Sequence, residues 1–358
     1  MIHLGFIRYF IVLATLLLST SYSPFILEAV VYETSQQSFI QNIESTPLLL
    51  SNHDKVRYKD LNPVNGSVYE LLNKAQNSIL MITFSLSEEK VIQMLNRKAE
   101  EGLEVQVLID RDHMAGLAAK LHPAIKLTTR KTGEGHLHHK ILVVDQAYVW
   151  LGSANFTYDS FMVRANLVVG FYSPEMGAAL TEEALHIESQ TPRTHALPLT
   201  VSFDEQFLEL YVLPHNPPKN PRPLETQMNE MAKQKLISLI DEAQASIKVS
   251  ICVLTFKDVS RALIRAQQRG VNVEVVVAGN MHEEAVQLLV KAGIPVKESK
   301  QAPHQKWMYI DQTILLNGSP NWSMSAFSRG DESFIVLYAL SLEQQATIEE
   351  IWRSVRGG

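Results

Sequence analysis

Apolar residues recur along the chain with two alternating periods, and this alternation predicts a series of strands and helices. In the first part of the chain, apolar and β-branched runs predict strands over residues 78–86 and 105–110. Helical periodicity predicts helices over residues 68–75 and 89–101, the second of them ended by Gly102. Near-continuous apolar strands between amphipathic helices are typical of a largely parallel sheet that is covered on both faces.

The same order of elements returns in the second part of the chain, which indicates a duplication. The elements predicted there are helices over residues 234–243, 259–268 and 283–291, and strands over residues 246–255, 273–278 and near Val296. Ala75 and Ser78 match Ala243 and Ser246 at an offset of 168 residues, and from residue 138 onward the matching positions are 166 residues apart. The sequence therefore predicts a mixed α/β protein of two homologous halves, each with a largely parallel or mixed sheet and helices on both faces.

Length and proline content suggest where the halves begin and end. With 358 residues the chain has room for two domains. Five prolines between residues 214 and 223 exclude a helix interior or a central strand there, and residues 207–213 before them are predicted to form the first strand of the second half. We therefore expect a first repeat over residues 51–190, a proline-rich connector over 191–225 and a second repeat over 226–358.

The N-terminal residues differ in composition from the rest of the chain. Arg8 precedes an apolar run over residues 9–18, and hydroxyl residues follow it, which is the order of a secretory signal peptide. The run is short for a helix that spans a membrane. We expect residues 1–31 to be a signal peptide or an uncleaved anchor and residues 32–50 to be a weakly ordered lead-in, so that the protein is exported or membrane-anchored.

Charge and cysteine content narrow the function classes only a little. The formal net charge is -6 and the sequence pI is about 6.1, so no overall positive charge attracts a polyanion. Cys252 is the single cysteine and lies on a predicted strand, which excludes an intramolecular disulfide. We interpret Cys252 as a small buried residue of the core.

One short pattern of chemically active residues occurs in each half with identical spacing. Its two copies are His138, Lys140, Asp145, Gly152, Ser153 and Asn155, and His304, Lys306, Asp311, Gly318, Ser319 and Asn321. A histidine and a lysine two positions apart on a strand face the same side, because side chains alternate along a strand. Two copies that face each other place two imidazoles and two ammonium groups around one anionic centre, which suits phosphoryl transfer without a metal.

The two aspartates of the pattern stand at predicted turns. Asp145 and Asp311 lie seven residues beyond the histidines and just before return strands predicted over residues 148–151 and 313–316. An odd spacing on an uninterrupted strand turns them away from the histidines. The residue pattern alone therefore predicts that they bind turn backbone.

The pattern resembles the signature of the phospholipase D superfamily, which is H-x-K, four residues, D, six residues and G-S-x-N, and both copies match it in full. The resemblance covers roughly residues 50–358 and implies a phospholipase D fold whose two halves pack with pseudo-two-fold symmetry. It also implies that one histidine attacks phosphorus to form a phosphohistidine intermediate. The other histidine protonates the departing oxygen and then activates water or an alcohol.

The resemblance implies a site to which both halves contribute. The catalytic candidates are His138, Lys140, Asp145, His304, Lys306, Asp311 and Glu332, and the substrate-binding candidates are Ser153, Asn155, Ser319, Asn321 and Asn166. The lysines and the motif asparagines are expected to hold the non-bridging phosphate oxygens, and the serines to donate to the phosphate or to an imidazole.

One position differs between the halves and bears on which histidine attacks. Glu332 in the second half occupies the position that Asn166 occupies in the first. Members of the superfamily carry an acidic residue there that bonds the histidine of the opposite half. If Glu332 supports His138, then His138 is the nucleophile and His304 the acid. Asn166 is left as an equivalent partner for His304, and a solvated loop carboxylate remains the alternative for Glu332.

His136 and His139 flank His138 and raise the question of a metal site. The second half has no counterpart of either, and no carboxylate or cysteine stands at ligand spacing in the sequence. We interpret His136 as a rim residue and His139 as packing on the other face of the strand. We expect neither a metal nor another cofactor.

Hydrolysis of a phospholipid headgroup ester, or its transfer to an alcohol, is the first functional hypothesis, with a membrane surface as the partner. Aromatic residues near the motifs either line an apolar entry or pack in the core, and they are Phe156, Tyr158, Phe161, Trp322 and Phe327. A phospholipid synthase is disfavoured because the sequence has at most one apolar N-terminal span.

A metal-independent endonuclease that uses the same histidine pair is the alternative. Basic residues that are placed to bind a polynucleotide backbone are Arg130, Lys131, Arg164, Lys300 and Arg329. The intact motifs argue against an inactive relative that is kept for binding. An oligomer is not required, because one chain carries both motifs.

Overall fold

Two mixed β-sheets with flanking helices form the part of the chain that the computed structural model describes. The described residues are 39–42, 64–130, 135–195, 197–203, 206–216, 219–279, 281–299 and 303–357. They belong to one compact unit, Phe39–Gly358. The predicted signal or anchor over residues 1–31 lies outside the described residues, as do Lys131, Lys300, Pro217 and Pro218.

The first sheet is built from the first half of the chain. Its strands are β1 (Phe39–Asn42), β2 (Ser78–Thr83), β3 (Glu104–Ile109), β4 (Lys126–Thr128), β5 (Lys140–Val144), β6 (Tyr148–Gly152) and β7 (Leu167–Tyr172). The helices are α1 (Val64–Lys74), α2 (Glu89–Glu100), α3 (Arg111–Ala118), α4 (Tyr158–Met162) and α5 (Pro174–Ser189). The strand order is β1-β7-β6-β5-β2-β3-β4, in which β2, β3 and β4 are parallel and the other pairs antiparallel.

The second sheet repeats this order and adds a hairpin at one edge. Its strands are β8 (Leu199–Phe203), β9 (Gln206–Leu213), β10 (Ser246–Ile251), β11 (Asn272–Val277), β12 (Val296–Glu298), β13 (Lys306–Ile310), β14 (Ile314–Gly318) and β15 (Glu332–Tyr338). The helices are α6 (Pro223–Glu242), α7 (Lys257–Gln268), α8 (Glu284–Lys291) and α9 (Leu342–Gly357). The order is β12-β11-β10-β13-β14-β15-β9-β8, with parallel pairing again confined to three strands, β10, β11 and β12.

The predicted mixed α/β fold of two related halves is confirmed. The repeat is visible in the pairing register, since Thr83 opposes Lys140 in the first sheet and Ile251 opposes Lys306 in the second. Of the two forms expected, largely parallel or mixed, both sheets are mixed, and antiparallel pairs of strands outnumber parallel pairs in each.

Several elements differ from the sequence-based expectation. Residues 39–42, inside the expected lead-in, form β1 and pair with β7. The expected connector over residues 191–225 contains both strands of the β8–β9 hairpin, and β9 pairs with β15. Helix α6 begins at Pro223, where proline's missing N–H costs nothing, rather than at residue 234.

Within the described ranges, three buried clusters hold the layers together. One lies under α1 and α2 on the first sheet, and one under α6, α7 and α8 on the second. The third lies between the sheets and joins Ile141 and Leu151 of the first half to Trp307 and Ile335 of the second, together with side chains of α5 and α9. Among the described residues, no helix has the length and apolarity that are needed to cross a membrane.

Candidate active site

The two histidines of the motif lie just before β5 and β13, where the backbones of the two halves meet. The His138 N–H donates to the carbonyl of Asp331 at 2.9 Å, and the His304 N–H donates to the carbonyl of Ala165 at 2.8 Å. Asp331 and Ala165 occupy equivalent positions in the repeat. The halves therefore exchange one backbone hydrogen bond at each histidine, in agreement with a pseudo-two-fold arrangement.

Glu332 lies against His138 across this interface. Both carboxylate oxygens of Glu332 lie 2.9 Å from His138 Nδ1. The Ser319 hydroxyl donates to Glu332 Oε2 at 2.5 Å and accepts from the Ser333 N–H at 3.0 Å. The carboxylate is thus held from two sides, and it favours the tautomer in which His138 Nδ1 carries the proton.

Asn166 takes the equivalent place beside His304. Asn166 Oδ1 lies 2.9 Å from His304 Nδ1 and accepts from the Ser153 hydroxyl at 3.0 Å. Asn166 Nδ2 donates to the carbonyl of Ser160 at 2.9 Å, which fixes the orientation of the amide. An amide oxygen only accepts, so Nδ1 of His304 is the protonated ring nitrogen and Nε2 is left for a ligand.

The motif lysines are buried on the same strands. Lys140 and Lys306 are 0% and 1% exposed, and each ammonium group donates to the carbonyl of its own motif histidine, His138 or His304. Burial lowers the pKa of Lys306 to about 8 and that of Lys140 well below its ordinary value. The charge of Lys306 adds to the lowering at Lys140, so the two ammonium groups repel each other in the absence of an anion.

Burial and the charges of the lysines also affect the pKa values of the two motif imidazoles. Burial, followed by the charges of Lys140 and Lys306, lowers the pKa values of both His138 and His304 well below the ordinary value. Burial raises the pKa of Glu332 to about 7. Burial therefore disfavours the charged forms of both imidazoles and of the carboxylate.

The structure places the two motif aspartates away from this cluster. Asp145 and Asp311 follow β5 and β13, at the opposite end of each strand from the histidines. The carboxylate of Asp145 accepts from the backbone N–H groups of residues 76–78, and that of Asp311 from those of residues 244–246, at 2.7–3.2 Å. Each begins a two-residue turn with positive φ, 51° at Asp145 and 48° at Asp311. They anchor turns and lie apart from the motif histidines and lysines.

The motif serines are also engaged inside the protein. Ser153 and Ser319 are 0% and 1% exposed, and their hydroxyls support Asn166 and Glu332 rather than facing an open space. The hydroxyl protons are donated to Asn166 Oδ1 and Glu332 Oε2, so the serines contact the partners of the imidazoles and not the imidazoles themselves.

The motif glycines allow the close strand approach that this support requires. A Cβ atom at Gly152 would lie 2.2 Å from the carbonyl oxygen of Leu167, and one at Gly318 would lie 2.4 Å from that of Ser333. No larger residue fits at either position, which keeps the segments that carry Asn166 and Glu332 next to the motif.

The motif asparagines remain candidates for ligand binding. The Oδ1 atoms of Asn155 and Asn321 are buried and have no hydrogen-bond partner in the described part of the chain. A buried amide oxygen without a partner is uncommon and costs free energy, unless the amide reverses or a ligand approaches it.

Most of the aromatic residues beside the motifs belong to the core. Phe156, Phe161, Trp322 and Phe327 are buried, whereas Tyr158 is 62% exposed. Four of the five aromatic residues therefore pack in the core, and Tyr158, the first residue of α4, is the one of the five that can line an apolar entry.

Two of the three described basic residues proposed for a polynucleotide form ion pairs within the protein. Arg130 is buried and forms an ion pair with Asp331 of the other half. Arg164 is paired with Asp159 at 2.5 Å on the surface, and Arg329 is exposed. Arg130 cannot bind a polynucleotide without breaking this buried pair.

Two features of the site were not anticipated from the sequence. The Phe84 ring centroid lies 5.4 Å from that of His138, and Phe84 directly follows β2. Asp110 and Asp112 meet His136, with one potential ligand atom from each within 4.8 Å of the others. Phe84 and Asp110 directly follow the parallel strands β2 and β3, and sites commonly form at the carboxyl ends of such strands in α/β proteins. This position in the sequence could have indicated both.

Asp110 in this cluster also accepts two backbone hydrogen bonds. Asp110 accepts from the backbone N–H of Asp112 at 3.1 Å and from that of Leu137 at 2.7 Å. It caps α3 and holds the segment that leads to His138. His136 is 59% exposed at the rim, and His139 is fully buried beside the Ser333 hydroxyl at 3.1 Å.

Comparison with known proteins agrees with this geometry. Residues 68–187 and 236–352 match the family model described as "Cardiolipin synthase, PLD-like domain". A mitochondrial cardiolipin hydrolase of Mus musculus is 27% identical in an alignment of 194 positions that covers 49% of this chain and 86% of that protein. Cardiolipin synthase B of Salmonella typhi is 21% identical in an alignment of 316 positions that covers 78% of this chain and 75% of that protein.

A solved structure shares the fold along most of its length. The phosphatidylserine synthase of Haemophilus influenzae Rd KW20 superposes with a TM-score of 0.61 at 12% identity, covering 88% of this chain and 86% of that one. With a family model that matches more than half of the sequence and the fold in common, the chain belongs to the phospholipase D superfamily, in the family described as cardiolipin synthase, PLD-like domain.

Proposed function

We propose that the protein is a phospholipase D-type phosphodiesterase that cleaves the headgroup ester of a phospholipid through a phosphohistidine intermediate. The observation that carries the proposal is the pair of motif histidines, each held at Nδ1 by an acceptor from the opposite half and flanked by a buried lysine. With Nδ1 engaged in both rings, we infer that the two Nε2 atoms and the two cations act on one anionic group.

The first chemical step uses His138 as the nucleophile. His138 Nε2 forms a bond to phosphorus while the bond from phosphorus to the leaving oxygen breaks, and protonated His304 gives its Nε2 proton to that oxygen. Lys140, Lys306 and the two motif asparagines hold the non-bridging oxygens as their charge increases.

The second step regenerates the enzyme. His304, now neutral, takes a proton from water, whose oxygen attacks phosphorus as the bond to His138 breaks. An alcohol in place of water gives a new phosphodiester, so hydrolysis and transfer share the intermediate.

The partners of the two histidines support this assignment of roles. Glu332 is an ionisable group at His138 Nδ1, and a carboxylate stabilises the positive charge that the ring acquires when it bonds phosphorus. Asn166 is neutral and holds the His304 ring without lowering its acidity. The proposed mechanism needs a nucleophile at His138 and an acid at His304. The ionisable partner of His138 and the neutral partner of His304 suit these two roles.

A lipid substrate is supported by the relatives and by the surface beside the motifs. Two relatives that match this chain over most of their own length are named cardiolipin hydrolase and cardiolipin synthase. Tyr158 and Met324 are 62% and 55% exposed, and they stand at equivalent positions of the repeat, three residues after each motif asparagine. A pair of exposed apolar side chains that flanks a site suits a lipid interface. The burial of Arg130 weakens the nuclease alternative.

The domain limits and the location are part of the proposal. We propose repeats over residues 51–190 and 226–358, with residues 191–225 connecting them and supplying the β8–β9 edge of the second sheet, and export or membrane attachment through residues 1–31. The synthases among the relatives keep transfer open as the physiological reaction, although the sequence pattern disfavours a synthase with two spans.

One assay in two vessels tests the function. The first contains labelled phospholipid vesicles with a short primary alcohol, the second contains plasmid and single-stranded DNA, and both contain EDTA. We expect phosphatidic acid and the phosphatidyl alcohol in the first vessel and intact DNA in the second. DNA cleavage with untouched lipid contradicts the proposal and favours the nuclease.

The pKa shifts predict how anion binding depends on pH. The pKa values of both histidines are lowered and that of Glu332 is raised to about 7, so near neutral pH the imidazoles are neutral. Sulfate, which does not titrate between pH 5.5 and 8, adds negative charge, favours the imidazolium forms and raises all three pKa values. Binding therefore takes up protons, and we expect sulfate affinity to increase as the pH falls.

Calorimetry in two buffers of different ionisation enthalpy measures this uptake directly. The His304→Gln variant is expected to take up fewer protons than the wild type. Affinity that is independent of pH, with no proton uptake, contradicts the assigned electrostatics.

The exposed apolar pair predicts a defect that appears only on membranes. We expect the double variant Tyr158→Ser and Met324→Ser to lose about tenfold in activity on vesicles, since one buried apolar side chain contributes about 1.5–3 kcal/mol. Activity on a short-chain monomeric phosphodiester is expected to stay within about twofold, a change of less than 1 kcal/mol. A matched control replaces Leu224 and Leu342 by serine, which are 55% and 83% exposed away from the motifs. Equal losses in both double variants contradict an interfacial role.

A further inference from the structure

One pair of equivalent positions in the site carries very different side chains. The Phe84 N–H donates to the carbonyl of His139 at 3.1 Å, and the Cys252 N–H donates to that of Gln305 at 2.9 Å. His139 and Gln305 are the middle residues of the two H-x-K sequences. Phe84 and Cys252 therefore border the same region of the site, one from each half.

The Phe84 ring fills space on the side of the site that the first half forms. Its ring centroid lies 5.4 Å from that of His138, 4.6 Å from that of His113 and 5.2 Å from that of His136, all in edge-on contacts. Lys140 Nζ lies 5.7 Å from the same centroid. A ring in contact with three imidazoles has little freedom to move aside.

Cys252 takes the equivalent place beside Lys306. It is partly exposed, and its thiol lies close enough to Lys306 to influence the charge of that ammonium group. The register agrees, because Cys252 directly follows Ile251, which opposes Lys306. A thiol is smaller than a phenyl ring by several heavy atoms, so the two sides of the phosphate site differ in volume.

A phosphodiester needs such a difference, since its two ester oxygens carry different groups. In-line displacement puts the leaving oxygen opposite the attacking nitrogen of His138, and so on the side of His304. That is the second-half side, which Cys252 borders.

We propose that Cys252 borders the pocket for the leaving alcohol and that Phe84 closes the corresponding space on the other side of the phosphate. The inference rests on the proposed function and its assignment of His138 as the nucleophile. During the step, the bond from phosphorus to His138 Nε2 forms, the bond to the leaving oxygen breaks and His304 supplies the proton, so the departing alcohol passes the 252 side chain. The size of the side chain at 252 limits the size of alcohol that can leave.

The test uses Cys252→Phe and phosphatidyl esters that differ only in the leaving alcohol. Phosphatidylmethanol is compared, in identical vesicles, with the bulkiest of phosphatidylglycerol, phosphatidylinositol and diphosphatidylglycerol that the wild type cleaves. We expect the kcat/KM ratio of bulky to methyl ester to fall about tenfold or more, the effect of crowding a pocket by a few methylene equivalents. Ser202→Phe, which adds the same ring on the exposed surface of β8, is the control and is expected to keep the wild-type ratio.

A second measurement uses the native protein and does not depend on the variant folding. Because Cys252 is the single cysteine, methyl and benzyl methanethiosulfonate modify one position only. The benzyl adduct is expected to lower the ratio about tenfold more than the methyl adduct. A ratio unchanged in both measurements, equal losses on both esters, or a thiol that does not react overturns the inference. Wild-type protein that releases no alcohol from any ester instead contradicts the proposed function itself.

Discussion

Replacing His304 by alanine is expected to lower turnover of a natural phospholipid about 10³-fold, because the leaving alkoxide then departs without a proton. A phosphodiester with 4-nitrophenol as the leaving group needs no such proton, so its first step is expected to be much less affected. In the His304→Ala variant, the burst of released 4-nitrophenol and the amount of phosphohistidine trapped on His138 measure this first step.

Replacing His138 by alanine is expected to remove both activities by about 10⁴-fold or more, since no bond to phosphorus forms. His282→Ala, at an exposed position, is the matched control and is expected to behave as the wild type. If His138→Ala retains the nitrophenol burst and His304→Ala loses it, the roles of the two histidines are reversed.

The second large effect is expected on stability, from the ion pair between Arg130 and Asp331. These side chains are 6% and 4% exposed, and the second carboxylate oxygen of Asp331 accepts from the His215 N–H at 2.9 Å. Asp331→Asn leaves the Arg130 charge buried without its counter-charge, which is expected to lower the free energy of unfolding by about 3–5 kcal/mol.

Denaturant unfolding of matched variants measures this loss. Asp159→Asn breaks the exposed pair with Arg164 and is expected to cost less than about 1 kcal/mol. Equal effects from the two substitutions contradict the importance of the buried pair. Since the carbonyl of Asp331 accepts from the His138 N–H, the folded fraction of Asp331→Asn is also expected to lose activity.

The two motif histidines have different neighbours at equivalent positions of the repeat. Where the halves differ, the first-half histidine has the ionisable partner Glu332, the aromatic neighbour Phe84 and the ion-paired Asp331 beside it. The second-half histidine has Asn166, Cys252 and Ala165 at the equivalent places. A duplicated site gives two similar histidines, and these differences between the halves are the basis of the different roles that we propose for them.

Much of the fold was predictable, because local periodicity and spacing determine it. The predicted strands and helices around residues 78–110 and 246–291 agree with the structure to within a few residues at most ends. β1 and the start of α6 were missed for different reasons. The first is four residues long and exists through pairing with β7, and the second begins inside a proline-rich stretch where proline is tolerated only at the first turn.

By itself, the sequence determined the family, the duplication and the two H-x-K strands, because each depends on intervals that the chain preserves locally. Only the tertiary structure decided which groups meet: Glu332 is 194 residues from His138, and Asn166 is 138 residues from His304. It also decided that Ser153 and Ser319 act behind these partners, and that Arg130 is buried rather than available to a ligand. The physical reason is that contact across the halves and the loss of solvent depend on how the two sheets pack, which no local period records.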